Sequence, residues 1–262
     1  MDQNEQLLVK LQFEERFRRE LRSIFNRIRM EFILTTATGN TVRAKNYEAA
    51  FKNALQMHYA RVQKAFLGVV ENNTTKQDSD EDLRDEILAA LLLWSEQNVS
   101  SSVSSIIDTT QLNMDRAIEQ ARQAFSDEGV TNYSQRELAT AAAAILRRKL
   151  SGRETTIATT ETQAPAESTK LIEAFGLAGL APATAVTRQR IGQTTSKKQW
   201  VTVGDERVRD LHVRANGQIK PINQPFIVND ERLMYPGDNF YGASANNTIN
   251  CRCSAFYTFK LA

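Results

Sequence analysis

The apolar positions fall into long helical repeats over roughly the first 150 residues and into short alternating runs near the end. From residue 4 to about 37, Leu7, Leu11, Phe13, Phe17, Leu21, Ile24, Phe25, Ile28 and Phe32 recur at three- and four-residue steps, with Glu and Arg between them. That period predicts one long amphipathic helix, ended by Thr38-Gly39-Asn40. A second helix is expected from about Ala44 to Glu71, with Tyr47, Phe51, Leu55, His58, Val62, Phe66 and Val69 on one face. The two apolar faces then meet in an antiparallel hairpin. His58 reads as a packed or partner-facing histidine, because no Cys, Asp or second His stands at ligand spacing from it.

Asn72 to Asp80 is polar and predicts a loop. Glu81, Asp82, Asp85 and Glu86 follow, and carboxylates there mark the positive end of a helix rather than a calcium loop. That helix carries Leu83, Ile87, Leu88, Leu91 and Trp94. Ser100, Ser101, Ser102, Ser104 and Ser105 then mark a break, a kink or an exposed face, with a further helix running to Phe125 on Val103, Ile107, Met114, Ile118 and Ala121. Gly129 makes a turn, and Ser134-Gln135-Arg136-Glu137 fits a capping box. Leu138, Ala141, Ile145 and Leu146 line the next helix, which Ser151-Gly152 stops. Arg153 to Lys170, rich in Thr, Ala and Glu, reads as an exposed helix or a linker. Leu171 to Ala185, with Gly176, Gly179 and Pro182, reads as a loop or insertion.

The period changes at Trp200. A short apolar strand leads into the charged turn Asp205-Glu206-Arg207 and a helix through His212. Asn216-Gly217 turns the chain, and the alternation from Cys251 to Phe259 predicts a closing strand. The expected fold class is therefore α+β: a long N-terminal helical hairpin or bundle, then a small C-terminal module with a short antiparallel sheet and flanking helices. The expected divisions are a helical arm for partner binding or oligomerisation over 1–130, connecting helices and a loop over 131–195, and the α+β module over 196–262.

Composition narrows the functional classes. With 262 residues the chain can hold a proper core, and its net charge of +2 does not mark a dedicated nucleic-acid binder. Two cysteines spaced i, i+2 suit a reducing compartment without a disulfide scaffold. The start of the sequence lacks a signal-peptide core, and the longest apolar run, Ile87 to Trp94, is too short to span a bilayer; a soluble protein without a membrane partner is expected. Between Thr184 and Lys220 there is a local excess of five positive charges, including Arg188, Arg190, Lys197 and Lys198. These are candidate contacts to DNA phosphates or an acidic partner, against the plainer reading of a solvated face.

Several chemistries compete at the C-terminal end. His212, Cys251 and Cys253 are three good zinc ligands, with Asp205, Asp210 or water needed as a fourth. A Cys–His dyad would do nucleophilic chemistry if a third group oriented the histidine. Glu161 with Glu154 or Asp205 would be an acid–base pair, although the spacing singles out neither. The preferred reading is structural, with no cofactor and no metal: the cysteines pack as small hydrophobes while His212 and Arg207 tie a polar network.

In order along the chain stand Thr160-Glu161, Trp200, Asp205-Glu206-Arg207, Asn216-Gly217, Pro225-Phe226 and Asn250-Cys251-Arg252-Cys253. This series resembles the phage Mu protein F-like minor head protein family, also called phage head morphogenesis proteins, over about 130 to 259. Glu161, Trp200, Asp205, Arg207, His212, Gly217, Asn250, Cys251 and Cys253 are the structural-motif residues so implied. Many relatives place Cys-x-x-Cys after Asp-x-Arg; here Arg209 and His212 occupy those places, so the chain resembles a metal-free variant, with His212 bonding across the turn. The resemblance implies a non-enzymatic minor head protein of a tailed phage. It would lie inside the capsid near the portal, assembled in the host cytoplasm. Portal and other head proteins are the implied partners, with packaged DNA held or released nearby. A Cys/His hydrolase or transferase is the alternative. A Glu161–Arg207 pair is further expected, because both charges flank the core strands.

Overall fold

A computed structural model describes residues 1–70, 81–187 and 194–259. The element order is α1 (Gln3–Ala37), a 3-10 turn (Ala44–Tyr47), α2 (Glu48–Phe66), α3 (Glu81–Asp127), α4 (Gln135–Leu150), α5 (Arg153–Leu177), α6 (Pro182–Thr187), β1 (Lys197–Val201), α7 (Asp210–Ala215), β2 (Ile219–Pro221), β3 (Phe226–Val228), β4 (Glu231–Leu233), α8 (Ala245–Thr248) and β5 (Ser254–Thr258). The fold is α+β, with long N-terminal helices and a small antiparallel sheet near the C-terminus. The loop expected over Asn72–Asp80 lies outside the described residues, as do Glu71, Arg188 and Arg190.

Two compact units divide the chain, and neither is a continuous segment. One comprises Met1–Glu14, Met57–Gln97 and Ala158–Ala262; the other comprises Glu15–Gln56 and Asn98–Ile157. The divisions fall inside α1, α2, α3 and α5. The linear boundaries expected after residues 130 and 195 therefore lie within the second and first units respectively.

In the second unit the helical period works as expected. Phe17, Leu21, Ile28 and Phe32 of α1 are fully or almost fully buried, as are Phe51 and Leu55 of α2. Phe25 meets Phe51 at 5.4 Å and Tyr47 bonds Glu31, which sets the two helices antiparallel there. Ser134 caps α4 through the full capping box with Glu137, whose carboxyl is held below its usual range by the Ser134 amide. The serine run makes no break: α3 is one helix of 47 residues, and Ser100, Ser101, Ser104 and Ser105 lie on its exposed side.

The first unit departs further from expectation. The residues that the start of α1 buries are Gln6 and Lys10, while Leu8 and Leu11 are exposed. Arg153–Lys170 is neither an exposed helix nor a linker. It opens α5, and from Ala158 onward most of α5 is buried, including Thr162, Gln163, Glu167, Ser168, Thr169 and Lys170. Nor does a loop begin at Leu171, for α5 continues to Leu177. Gly176 lets it approach α3 closely: a Cβ there would stand 2.8 Å from Leu83 Cδ1.

The C-terminal sheet has the order β2-β1-β5, all antiparallel, beside the hairpin β3-β4. Asn229 and Asp230 both take positive φ between paired Val228 and Glu231, the two-residue turn whose twist suits a hairpin. Trp200, Phe226, Val228, Leu233, Cys251, Cys253 and Ala255 form the core between them. The chain turns back toward α5 at Gly237, with φ +90, where an added Cβ would lie 3.0 Å from Gln163 Cγ. Gly237→Ala should therefore destabilise the fold by about 1–3 kcal/mol through backbone strain alone. Urea unfolding midpoints check this, and a neutral substitution would show that the turn tolerates a side chain.

Candidate functional site

The buried polar face of α5 meets the edge of β5. Trp200 pairs with Ala255 across β1 and β5, but its own amide and carbonyl bond toward β2, to Gln218 O at 2.9 Å and Gly217 N at 2.8 Å. In an antiparallel ladder the opposing residue then points its N–H and C=O the other way, off the sheet. Those groups of Ala255 are satisfied by helix side chains. Its N–H donates to Glu167 Oε2 at 2.9 Å, and its carbonyl accepts from Lys170 Nζ at 3.1 Å. Two residues earlier, the Cys253 carbonyl accepts from Gln163 Nε2 at 2.6 Å. Gln163, Glu167 and Lys170 stand at i, i+4 and i+7, one helix face. They do for this edge what a fourth strand would do.

Burying those charges needs compensation. Lys10 Nζ lies 2.7 Å from Glu167 and 2.8 Å from Gln163 Oε1, while Lys170 Nζ lies 2.9 Å from Glu167 and 3.0 Å from Gln6 Oε1. Burial pushes the Glu167 carboxyl up, but Lys10 and Lys170 more than offset it and hold it below the usual range. Burial pushes the Lys170 ammonium down to about 8 despite Glu167.

The motif residues are joined by a second set of contacts. Asp205 takes both ends of the Arg252 guanidinium, at 2.9 Å each, and this pair holds its carboxyl below the usual range. Arg207 gives Asp205 only its backbone amide, at 3.1 Å. The expected Glu161–Arg207 pair is not formed: Glu161 takes the Tyr59 hydroxyl, and its neighbour Thr160 accepts from the Asn250 amide at 3.2 Å. Asn250 itself adopts φ 54 at the start of Asn-Cys-Arg-Cys. Gly217, φ +81, makes the turn that returns the chain to Trp200. His58 is buried against Thr162 Oγ1 at 2.9 Å.

His212, Cys251 and Cys253 come together. Each is 2% exposed, and His212 Nδ1 and the two Sγ atoms all lie within 4.8 Å of one another. Nδ1 stands 3.8 Å from Cys251 Sγ and 3.5 Å from Cys253 Sγ. Trp200 closes one side, edge-on to His212 at 5.4 Å. The Cys251 thiol is drawn down to about 5 by the Cys253 sulfhydryl beside it, and Cys253 is pushed up. Among the described residues, these three side chains form the group that could hold a metal ion. Asp205 and Asp210, both exposed, are not in that cluster. The other network partner of His212 is Asn247, which sequence reasoning missed, as it missed Lys10, Gln163, Glu167, Lys170 and the pairing of Arg252 with Asp205.

With this geometry in hand, the comparison with known proteins is decisive on one point: residues 133–256 match the family model described as Phage Mu protein F like protein. That segment is similar to the phage Mu protein F-like family. No curated protein and no solved structure matches the chain. That family is one of phage head structure and morphogenesis. Among the described residues no helix is long and apolar enough to cross a membrane. In the matched segment the candidate contact Lys198 is not at the surface: it is 1% exposed, and its Nζ donates to Met234 O at 2.7 Å over the Phe226 ring. Lys197 is exposed.

Two outcomes follow from the charged seam. Glu167→Gln leaves buried ammonium groups without their anion and should cost about 3–5 kcal/mol, read by chemical denaturation. Lys170 binds its proton more weakly folded (about 8) than unfolded (10.5), so the unfolded chain holds more protons across that window. The wild type should therefore gain stability relative to Lys170→Met as pH rises from about 8 to about 10.5. A flat or falling difference in unfolding free energy would contradict the buried charged lysine.

Proposed function

We propose that the chain is a minor structural head protein that associates with the portal inside the capsid and acts in head morphogenesis without turning over a substrate. The observation that carries this is how the Mu F-like domain is bound to chain outside itself. Lys10 and Gln6 of α1, Tyr59 of α2 and Trp94 of α3 reach Glu167, Lys170, Glu161 and Tyr235, all inside the matched segment. The domain is thus built onto long helices and is carried with them. Those helices keep apolar side chains for a partner: Leu8 and Leu11 on α1, and Leu88 and Leu92 one turn apart on α3, are exposed. The candidate nucleophile and acid–base groups are turned inward. His212, Cys251 and Cys253 are buried, and Glu161 is held by Tyr59.

A direct test uses the full chain with its phage's portal protein. Burying a leucine is worth about 1.5–3 kcal/mol, so Leu88→Glu with Leu92→Glu should weaken portal capture at least about tenfold while circular dichroism stays unchanged. Undiminished capture would move the contact to the C-terminal module. DNA holding belongs to the same proposal but rests on fewer residues, since Lys198 is spent on Met234; Lys197, Arg207 and Arg214 remain exposed. Phosphate contacts predict DNA retention that falls steeply with salt, whereas a flat salt response removes DNA from the list of partners.

A further inference from the structure

We propose that His212, Cys251 and Cys253 form a structural binding site for a soft divalent cation, zinc foremost, inside the C-terminal module. Three independent features of the cluster lead there. The first is spacing. A tetrahedral zinc with bonds of about 2.3 Å to sulfur and about 2.0 Å to nitrogen holds those atoms roughly 3.5–3.6 Å apart. His212 Nδ1 lies 3.5 Å from Cys253 Sγ and 3.8 Å from Cys251 Sγ, close to the edges of such a tetrahedron.

The second feature fixes which ring nitrogen faces the sulfurs with a lone pair. Asn247 spends its amide hydrogens on Val228 O, 3.1 Å, and Glu231 Oε2, 2.7 Å. Its Oδ1 is therefore what meets His212 Nε2, at 3.2 Å, and Nε2 carries the proton. Nδ1 is left unprotonated, aimed at both sulfurs. A ligating histidine whose other nitrogen donates to a fixed acceptor is the usual arrangement behind a metal site, and here the acceptor is itself held by a carboxylate.

The third is charge and its surroundings. Two thiolates and a neutral imidazole around a divalent ion sum to zero, so a site 2% exposed carries no uncompensated charge. Trp200 walls the cluster, and its buried indole N–H has no hydrogen-bond partner of its own; a metal-bound thiolate beside it is an acceptor. The reaction balances as two Cys S–H bonds breaking, two S–metal bonds and one N–metal bond forming, and two protons leaving to solvent. Softness of the donor set favours zinc over magnesium or calcium, and solvent takes the fourth position.

The full-length protein, purified without a metal-affinity step and dialysed, should hold one zinc per chain by elemental analysis. Replacement with cobalt(II) should give a sulfur-to-metal charge-transfer band of two-thiolate intensity, falling to one-thiolate intensity in Cys253→Ser. Asn247→Leu should lower zinc affinity about 10–100-fold while two thiolates still ligate. Because the cysteine variant could misfold, the wild type supplies its own readout: a strong chelator should lower Tm and expose both thiols to alkylation together. A folded wild type with two free thiols that takes up no zinc or cobalt overturns the proposal, as does a Cys251–Cys253 disulfide detected by mass.

Discussion

An open strand edge inside a protein is a liability, because its amides and carbonyls have lost water and need partners. Here three side chains from one face of α5 supply them, with Gln163, Glu167 and Lys170 standing in for a strand against Cys253 and Ala255. The rest of the first unit is arranged around that substitution. Lys10 and Gln6 are buried at the start of α1 because the helix must neutralise and bond what α5 brings in. Gly237 is a glycine with φ +90 because the chain passes against Gln163. Each such contact joins residues far apart in sequence, so the seam holds together parts that would otherwise be separate elements.

The second unit was legible because burial there follows the apolar period. Phe17, Leu21, Ile28, Phe32, Phe51 and Leu55 repeat at helical steps and are the residues that pack. The capping box at Ser134 was equally plain, since its geometry needs only four consecutive residues. The seam was not legible. A stripe of Gln, Glu and Lys at i, i+4, i+7 looks the same whether it faces water or a strand edge, and only the partner decides. For the same reason Leu11 looked like core and is exposed, whereas its neighbour Lys10 is buried. The serines of α3 have weak helical propensity, but flanking Val99, Val103, Ile106 and Ile107 keep the helix packed through them.

At the candidate site the contacts between the motif residues differ from those expected from sequence order. Asp205 does meet an arginine of the motif series, but it is Arg252 of the closing Asn-Cys-Arg-Cys rather than an arginine of its own turn serving Glu161. Thr160, not Glu161, reaches that closing motif, through Asn250. Spacing alone could bring His212 near the cysteines; it could not show Asn247 behind it, because one asparagine among several carries no mark of its role. The matched segment is thus held by two layers: a surface bridge between motifs, and a buried cluster of histidine, sulfur and indole.

The separation of partners along the chain has a temporal consequence. Lys10 leaves the ribosome before its partners: Glu167 follows 157 positions later, and Ser254 comes 244 positions after Lys10. Until that last stretch emerges, the lysine has no place to bury its charge and α5 has no strand to cover. Contacts of such long sequence separation are slow to close. The first unit therefore matures only after β5 has been made, while local helices such as α4 with its own cap can form beforehand.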